Sequence, residues 1–122
     1  MQNTPINPDT FSAELYRAVD NKDLNSLAHL LSDDIEFRIA NFPLVKGKSA
    51  VIEANKQFFE SITRMQHTLV DSYLKNGDIF CHGSVDYVRL DGTTHHAYFS
   101  TLLKFKQNKI QQYLVFADIS QL

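Results

Sequence analysis

Residues 65 to 118 hold four strand-like runs separated by Asn76-Gly77, Asp91-Gly92 and Gln107-Asn108, a spacing that admits little besides an antiparallel meander. Asn-Gly and Asp-Gly favour type I′ hairpins because both central residues of that turn need positive φ, and Gln107-Asn108 is the weaker signal of the three. With two central residues in every turn, Lys75 faces Asp78, Leu90 faces Thr93 and Lys106 faces Lys109. Counting outward puts His67 opposite Asp86, Asp86 opposite Ala97, and Ala97 opposite Asp118. One step along the same face, Asp71 meets His82, Thr101 and Leu114. Residues two apart share a face, so this face also carries Tyr73, Phe80, His95, Phe99 and Phe116, and no lysine or arginine. The opposite face holds Ile79, Cys81, Val85, Tyr87, Tyr98, Leu102 and Tyr113, with Arg89, Lys104 and Lys109 able to reach water on long stems. A slip of one residue in any turn exchanges the faces of that strand, so the reading depends on the turns.

The N-terminal half reads as helical. Asn7-Pro8 supplies a capping side chain followed by proline at the first helical position, after which Phe11, Leu15, Ala18 and Val19 fall on one face. Asn21 and Lys22 interrupt that helix, and Leu24, Leu27, Leu30 and Leu31 mark a short second one from near Asp23. Ile35, Phe37 and Ile39 alternate with Asp34, Glu36 and Arg38 as a half-buried strand, and Pro43 and Gly47 hold a loop. Val51, Ala54, Phe58 and Ile62 trace an apolar stripe on a third helix from about Lys48 to Arg64. The order predicts an α+β fold in which three helices cover one face of a curved, mainly antiparallel sheet and leave a conical cavity.

The 122 residues are expected to form one domain, 1–122, with 43% hydrophobic content and a net charge of −2. A near-neutral balance without a Lys/Arg cluster argues against nucleic acid or an anionic membrane as partner. The polar start MQNTPINPDT does not resemble a signal peptide, no run is long enough to cross a bilayer, and the lone Cys81 fits a reducing, cytoplasmic setting.

Asp118 ends an apolar strand and shares the counted row with Asp86, separated by the small Ala97. Burial and a second carboxylate raise a carboxyl pKa, which would prepare an acid and a base near neutrality; the alternative for Asp118 is a strand cap. His67, opposite Asp86, is a proton carrier or a buried structural hydrogen-bonding group. His95 lies diagonal to Asp86. Its neighbour His96 points the other way, so the pair cannot jointly chelate, and without a ligand spacing such as H-E-x-x-H no metal is expected. Arg38 either binds an anionic group of a ligand or pairs with Glu36 or Asp34. Asn41 presents an amide to the cavity mouth or serves a turn. Phe58, Phe99 and Phe116 are core residues, of which those nearest the open end touch a ligand. The opposite face, with Val85, Tyr87, Tyr98, Leu102 and Tyr113, is too apolar for water and predicts a homodimer.

Asp33 to Gly47, DDIEFRIANFPLVKG, with the KSAV helix start, resembles the SnoaL-like branch of the nuclear transport factor 2-like superfamily. The likeness extends through Met65-Gln66-His67, Val85-Asp86-Tyr87, Asp91-Gly92 and the stretch from Lys109-Ile110 to Asp118-Ile119-Ser120. It implies a cone of strongly curved sheet and three helices, commonly dimeric, with a hydrophobic pocket at one end. The catalytic sets of relatives are not carried whole. The two acids of limonene-epoxide hydrolases fall on Asp86 and Asp118, but their arginine becomes Ser84, their tyrosine Phe37 and their asparagine Ile39. Ketosteroid isomerases place their base at Arg38, a first-helix tyrosine near Leu15 or Tyr16, and an oxyanion-hole acid at Thr101. The last-strand acid of SnoaL-type cyclases falls in Tyr113-Leu114-Val115.

These readings lead to a small-molecule-binding protein. It is either a cofactor-independent acid-base enzyme of isomerase, cyclase or hydrolase type acting on a compact apolar oxygenated substrate, or a non-catalytic ligand-binding or dimerisation module. Asp118, Asp86 and His67 are its catalytic candidates, and Tyr16, Arg38, Asn41, Phe58, His95, Phe99, Thr101 and Phe116 its ligand contacts.

Overall fold

A computed structural model describes residues 6–122. Helices α1 (Pro8–Asp20) and α2 (Leu24–Leu30) lead into β1 (Leu31–Ile39) and the short β2 (Val45–Lys46), followed by α3 (Lys48–Glu60) and strands β3 (Ile62–Lys75), β4 (Asp78–Arg89), β5 (Thr94–Lys106) and β6 (Lys109–Ala117). The strands form one open sheet in the order β2-β1-β6-β5-β4-β3, antiparallel except where β1 runs parallel to β6. The three helices lie on its concave face. This is the expected α+β architecture, with the short β2 as an addition and with Leu31 and Ile62 starting strands rather than continuing helices.

Local chemistry sets the helix ends. Asn7 Oδ1 accepts from Thr10 N at 3.0 Å and Asp23 Oδ1 from Ser26 N at 3.1 Å, each meeting a helix-start N–H that has no backbone partner. Between them Lys22, at φ 53°, turns its Nζ to Ile62 O at 2.7 Å and Thr63 O at 3.1 Å. That contact fastens the α1–α2 corner to the start of β3.

The sheet register departs from the simple count at three places, and each departure turns residues over. Asn76-Gly77 and Gln107-Asn108 do form two-residue turns with positive φ throughout, so Lys75 faces Asp78 and Lys106 faces Lys109. The second hairpin instead uses three loop residues: Arg89 N bonds Thr93 O at 2.7 Å, and Gly92, at φ 86°, donates to Arg89 O at 2.9 Å. Leu90 therefore does not face Thr93, and Asp86 pairs with His96, not Ala97. Further shifts between Leu69 and Asp71 in β3 and between Lys104 and Phe105 opposite Gln111 in β6 each insert one residue. As a result His67 lies opposite Val85, Val85 opposite Ala97, and Phe99 opposite Ala117.

The core follows this register. Ile79, Cys81, Val85 and Tyr87 of β4, and Tyr113 and Val115 of β6, are buried against Leu15, Leu27, Val51 and Phe59. Val85, Tyr87 and Tyr113, expected on the outward face, thus belong to the interior, because a one-residue shift exchanges the faces. β5 keeps its expected orientation, with Ala97, Phe99, Thr101 and Leu103 inside.

Gly83 sits at the bend where β3 and β4 approach most closely. A Cβ there would lie 1.9 Å from Thr68 O and 2.9 Å from Thr68 C, both backbone atoms that cannot step aside cheaply. Gly83→Ala is expected to lower unfolding free energy by about 3 kcal/mol, read as a reduced urea midpoint at unchanged m-value; a midpoint equal to the parent's would show that the bend does not need this glycine.

Candidate active site

The first helix and third strand build the site together. Tyr16 and Asp20 are one helical turn apart, so both side chains project from the same face of α1 toward β3. Asp20 grips His67 at two points: its Oδ2 accepts the backbone N–H of His67 at 2.8 Å, and its Oδ1 lies 2.6 Å from the ring Nδ1. This fixes the ring's orientation and commits Nδ1, leaving Nε2 without a protein partner among the described residues. The ring packs against Tyr16 at 4.3 Å between centroids and meets Phe99 edge-on at 5.0 Å. Its side chain is 8% exposed, and no lysine or arginine lies within ion-pair distance of Asp20 among the described residues.

His67 forms part of the wall of an internal cavity of about 490 Å³ bounded by α1, α3 and the concave sheet. The remaining wall is largely aromatic, from Tyr16, Phe37, Phe58, Phe59, Tyr87, Phe99 and Tyr113, with Phe42 and Pro43 at the β1–β2 loop. Among the described residues no aspartate, glutamate, lysine or arginine lines it. Buried Asn55 on α3 is the chief amide: its Nδ2 donates to Val51 O at 2.9 Å while the side chain lines the cavity. On the outer side of the His67 ring lies a separate polar cleft bordered by Arg17, Asp20, Asn21, Arg64 and Gln66.

Three buried phenols add hydroxyl groups to the wall. Tyr16 hydroxyl bonds the fully buried Thr101 hydroxyl. Burial first, then the neighbouring Tyr113 and Cys81, pushes the Tyr16 pKa well above that of an ordinary phenol. Burial raises Tyr113 also, partly offset by its hydrogen bond to Tyr16, and Asp20 adds a smaller upward push. Tyr87 is pushed up to about 12 by burial and then by the Asp20 charge. All three remain neutral donors at any physiological pH.

The carboxylates expected to do the chemistry lie elsewhere. Asp86 is exposed on the convex face, where its Oδ1 meets His96 Nδ1 at 2.7 Å. Asp118 lies just past the end of β6 and closes a turn, accepting from Ser120 N at 3.0 Å and Ser120 Oγ at 2.6 Å. Those bonds hold its carboxyl below the ordinary range, the opposite of the elevation expected for a buried acid. The three-residue hairpin and the bulge in β6 move these two acids out of the shared row, so the pair cannot serve one ligand. Phe116, 47% exposed, turns to the convex face for the same reason.

The other candidates divide. Tyr16, Phe58 and Phe99 line the cavity with His67, and Thr101 stands behind Tyr16. His95 lies outside the lining, stacked on Tyr87 with centroids 6.1 Å apart. Asn41 borders a shallow groove with Ala40, Phe42 and Asp118 rather than the cavity. Arg38 pairs with neither Glu36 nor Asp34, which engage Lys46 and Lys106 instead. Asp20 and Asn55 were absent from the candidates, although each left a signal. Asp20 falls one turn after Tyr16, and Asn55 is a polar residue beside Val51 and Phe59 on the apolar stripe of α3.

An aromatic-rich cavity between α1, α3 and a curved sheet, with a carboxylate-held histidine in its wall, defines a small α+β pocket protein of the ketosteroid isomerase-like shape. A SnoaL-like domain model matches residues 13–113, and the chain belongs to that family. No curated protein matches it. Solved structures share the fold at low identity. A Catenulispora acidiphila protein with a ketosteroid isomerase-like fold, in complex with trimethylamine, aligns at TM-score 0.84 and 14% identity over 93% of this chain and 89% of its own. TerC, co-crystallised with polyporic acid, aligns at TM-score 0.81 and 12% identity over 93% and 92%. A candidate SnoaL-like polyketide cyclase from Shewanella denitrificans aligns at TM-score 0.79 and 11% identity over 92% and 90%. No helix of the described residues is long and apolar enough to cross a membrane.

The raised phenols fix an alkaline limit. A phenol whose folded pKa exceeds its unfolded value near 10 leaves stability intact below about pH 10 and removes it as the pH rises toward the folded pKa. With Tyr16, Tyr87 and Tyr113 all raised, stability should fall steeply between about pH 10 and 12, by up to roughly 4 kcal/mol per pH unit if all three ionise only on unfolding. Absorbance of phenolate near 295 nm and far-UV circular dichroism should then show these three ionising together with loss of structure. Full ionisation in a folded chain would contradict their burial.

Proposed function

We propose that this protein binds a compact, mainly apolar, oxygen-bearing small molecule in the aromatic cavity and that His67, held by Asp20, performs general acid-base chemistry on it. The observation that carries this reading is the 2.6 Å contact of Asp20 with Nδ1 of a histidine whose ring forms cavity wall. In this arrangement Nε2 of neutral His67 accepts a proton from a carbon or water in the cavity. Asp20 stabilises the resulting imidazolium, and a Tyr16 or Tyr113 hydroxyl donates to the substrate oxygen. His67 returns the proton to complete an isomerisation, cyclisation or hydration. The ligand-bound relatives support small-molecule binding as the shared use of this shape. The proposal requires no metal or cofactor.

A second reading, ligand binding without turnover, draws on the tight packing of the imidazole between Tyr16 and Phe99. Exchange of α-hydrogens of 2-tetralone in deuterated buffer, followed by proton NMR, separates the two. The parent protein should accelerate exchange, and His67→Gln should lower the catalysed rate by about 10²-fold or more. Binding of 2-tetralone without exchange would favour the second reading, and exchange that survives in His67→Gln would remove histidine as the base.

We further propose a homodimer through the convex sheet face, with a membership revised by the register. Tyr73 pairs with Phe80, Phe80 with Leu102 and Leu102 with Leu114 in one cross-strand row, and Tyr98, 78% exposed, and Phe116 lie beside it. Several aromatic side chains on one open face favour burial against a second copy. Tyr98→Lys combined with Phe116→Lys should convert the dimer to monomer in analytical ultracentrifugation. A monomeric parent, or a double variant that still dimerises, would place the interface elsewhere or nowhere.

A further inference from the structure

We infer that the cavity selects a ligand carrying an alkylated ammonium group, a tertiary or quaternary amine rather than an anion or a wholly neutral molecule. This rests on the reading that the cavity binds a small molecule, and it names the chemical class.

The first argument is the shape of the wall. Rings from α1, α3 and the sheet line it on several sides, and three pairs meet edge to face rather than stacked: Phe58 with Tyr87 at 82°, Phe37 with Tyr113 at 64°, His67 with Phe99 at 85°. Aromatic faces carry negative potential, and a wall rich in them attracts a cation that is weakly hydrated.

Charge supplies the second argument. No lysine or arginine lines the cavity, so an anionic ligand finds no counter-ion there. The formal charge nearest the wall is the Asp20 carboxylate, which His67 leaves uncompensated while the imidazole is neutral. Arg17 and Arg64 border the same outer cleft as Asp20, but of the three only Asp20 bonds the His67 ring of the cavity wall.

The third argument distinguishes among cations. A primary ammonium brings three N–H donors that must each find an acceptor when buried. The side-chain acceptors on this wall are the Asn55 and Gln57 amide oxygens, the Ser61 hydroxyl, His67 Nε2 and the phenols, spread over α1, α3, β3, β4 and β6 rather than gathered at one point, and the Tyr16 hydroxyl is already engaged with Thr101. Alkyl groups on nitrogen replace those donors with apolar surface that the rings can cover.

Benzyltrimethylammonium and neopentylbenzene differ only in a positive nitrogen against a carbon, so their affinities isolate the charge. Titrations followed by proton–nitrogen correlation NMR at pH 8 should show the cation binding at least tenfold more tightly, with shifts centred on Phe58, His67 and Tyr87. Asp20→Asn should reduce that ratio to about threefold or less. Phe58→Leu, which retains apolar bulk but removes a ring, should weaken the cation more than the hydrocarbon. Circular dichroism of both variants confirms that they fold. Equal or tighter binding of neopentylbenzene by the parent overturns the charge preference while leaving the cavity reading intact. Failure of both compounds to bind, or shifts confined to the outer cleft or the convex face, removes the cavity reading itself. A ratio unchanged in both folded variants shows that neither Asp20 nor the rings set the preference, which also overturns the inference.

Discussion

One carboxylate, Asp20, joins the helical layer to the sheet and at the same time fixes the ring orientation of the only histidine on the cavity wall among the described residues. Its two oxygens hold a backbone N–H and a ring nitrogen of the same residue, so the last turn of α1 and the middle of β3 are fixed at a single point. A surface ion pair contributes little because water competes for both partners. Here the His67 side chain is nearly covered and the Asp20 side chain is 21% exposed, which weakens that competition. Removing the carboxylate would therefore free the ring to rotate, deprive Nδ1 of its partner and loosen the edge of the cavity.

The legibility of the sequence divides along the same lines as its physics. Helix starts were readable because capping is a local matter: Asn7 and Asp23 satisfy N–H groups three residues away whatever the rest of the fold does. Asn76-Gly77 was readable for the same reason, since positive φ is a property of those two residues. The faces of β4 and the end of β6 were not readable from turns alone. A bulge near Val70, a third loop residue before Thr93 and an extra residue at Gln111 leave the apolar pattern of their neighbours unchanged while reversing the count beyond them.

The alternation within β4 carried the correct answer independently. Ile79, Cys81, Val85 and Tyr87 are apolar at every second position, against His82, Ser84 and Asp86, and burial favours turning that set inward at roughly 25 cal/mol per Å² of apolar surface. Bringing Asp86 inward required exposing four apolar side chains in exchange for one charge that would itself resist desolvation. His67 keeps its expected face because the bulge near Val70 and the extra loop residue before Thr93 each shift the count by one, and the two shifts cancel on β3, where His67 still shares a row with Ala97, both now facing Val85. Asp20 carries only a faint signal in the sequence, one turn after Tyr16, because a helix-terminal aspartate ordinarily faces water and only the crossing of α1 over β3 turns it toward a histidine 47 positions later.

The interior polar groups explain how a largely apolar cavity remains specific. Thr101 is fully buried and bonds Tyr16, while Ser12 on the same face of α1 has no hydrogen-bond partner for its hydroxyl among the described residues. An unsatisfied buried hydroxyl costs about 1–3 kcal/mol, and alanine at Ser12 would avoid it. Polar groups that stabilise nothing locally still restrict what can be packed beside them. Thr101 fixes the Tyr16 phenol, Tyr16 in turn engages Tyr113, and burial keeps both protonated. The cavity thereby presents hydroxyl donors at defined points on an aromatic wall without placing a second charge near Asp20. Aromatic surface accommodates many ligands of similar size, whereas a donor with one available direction and a histidine held by a carboxylate discriminate among them by orientation and polarity.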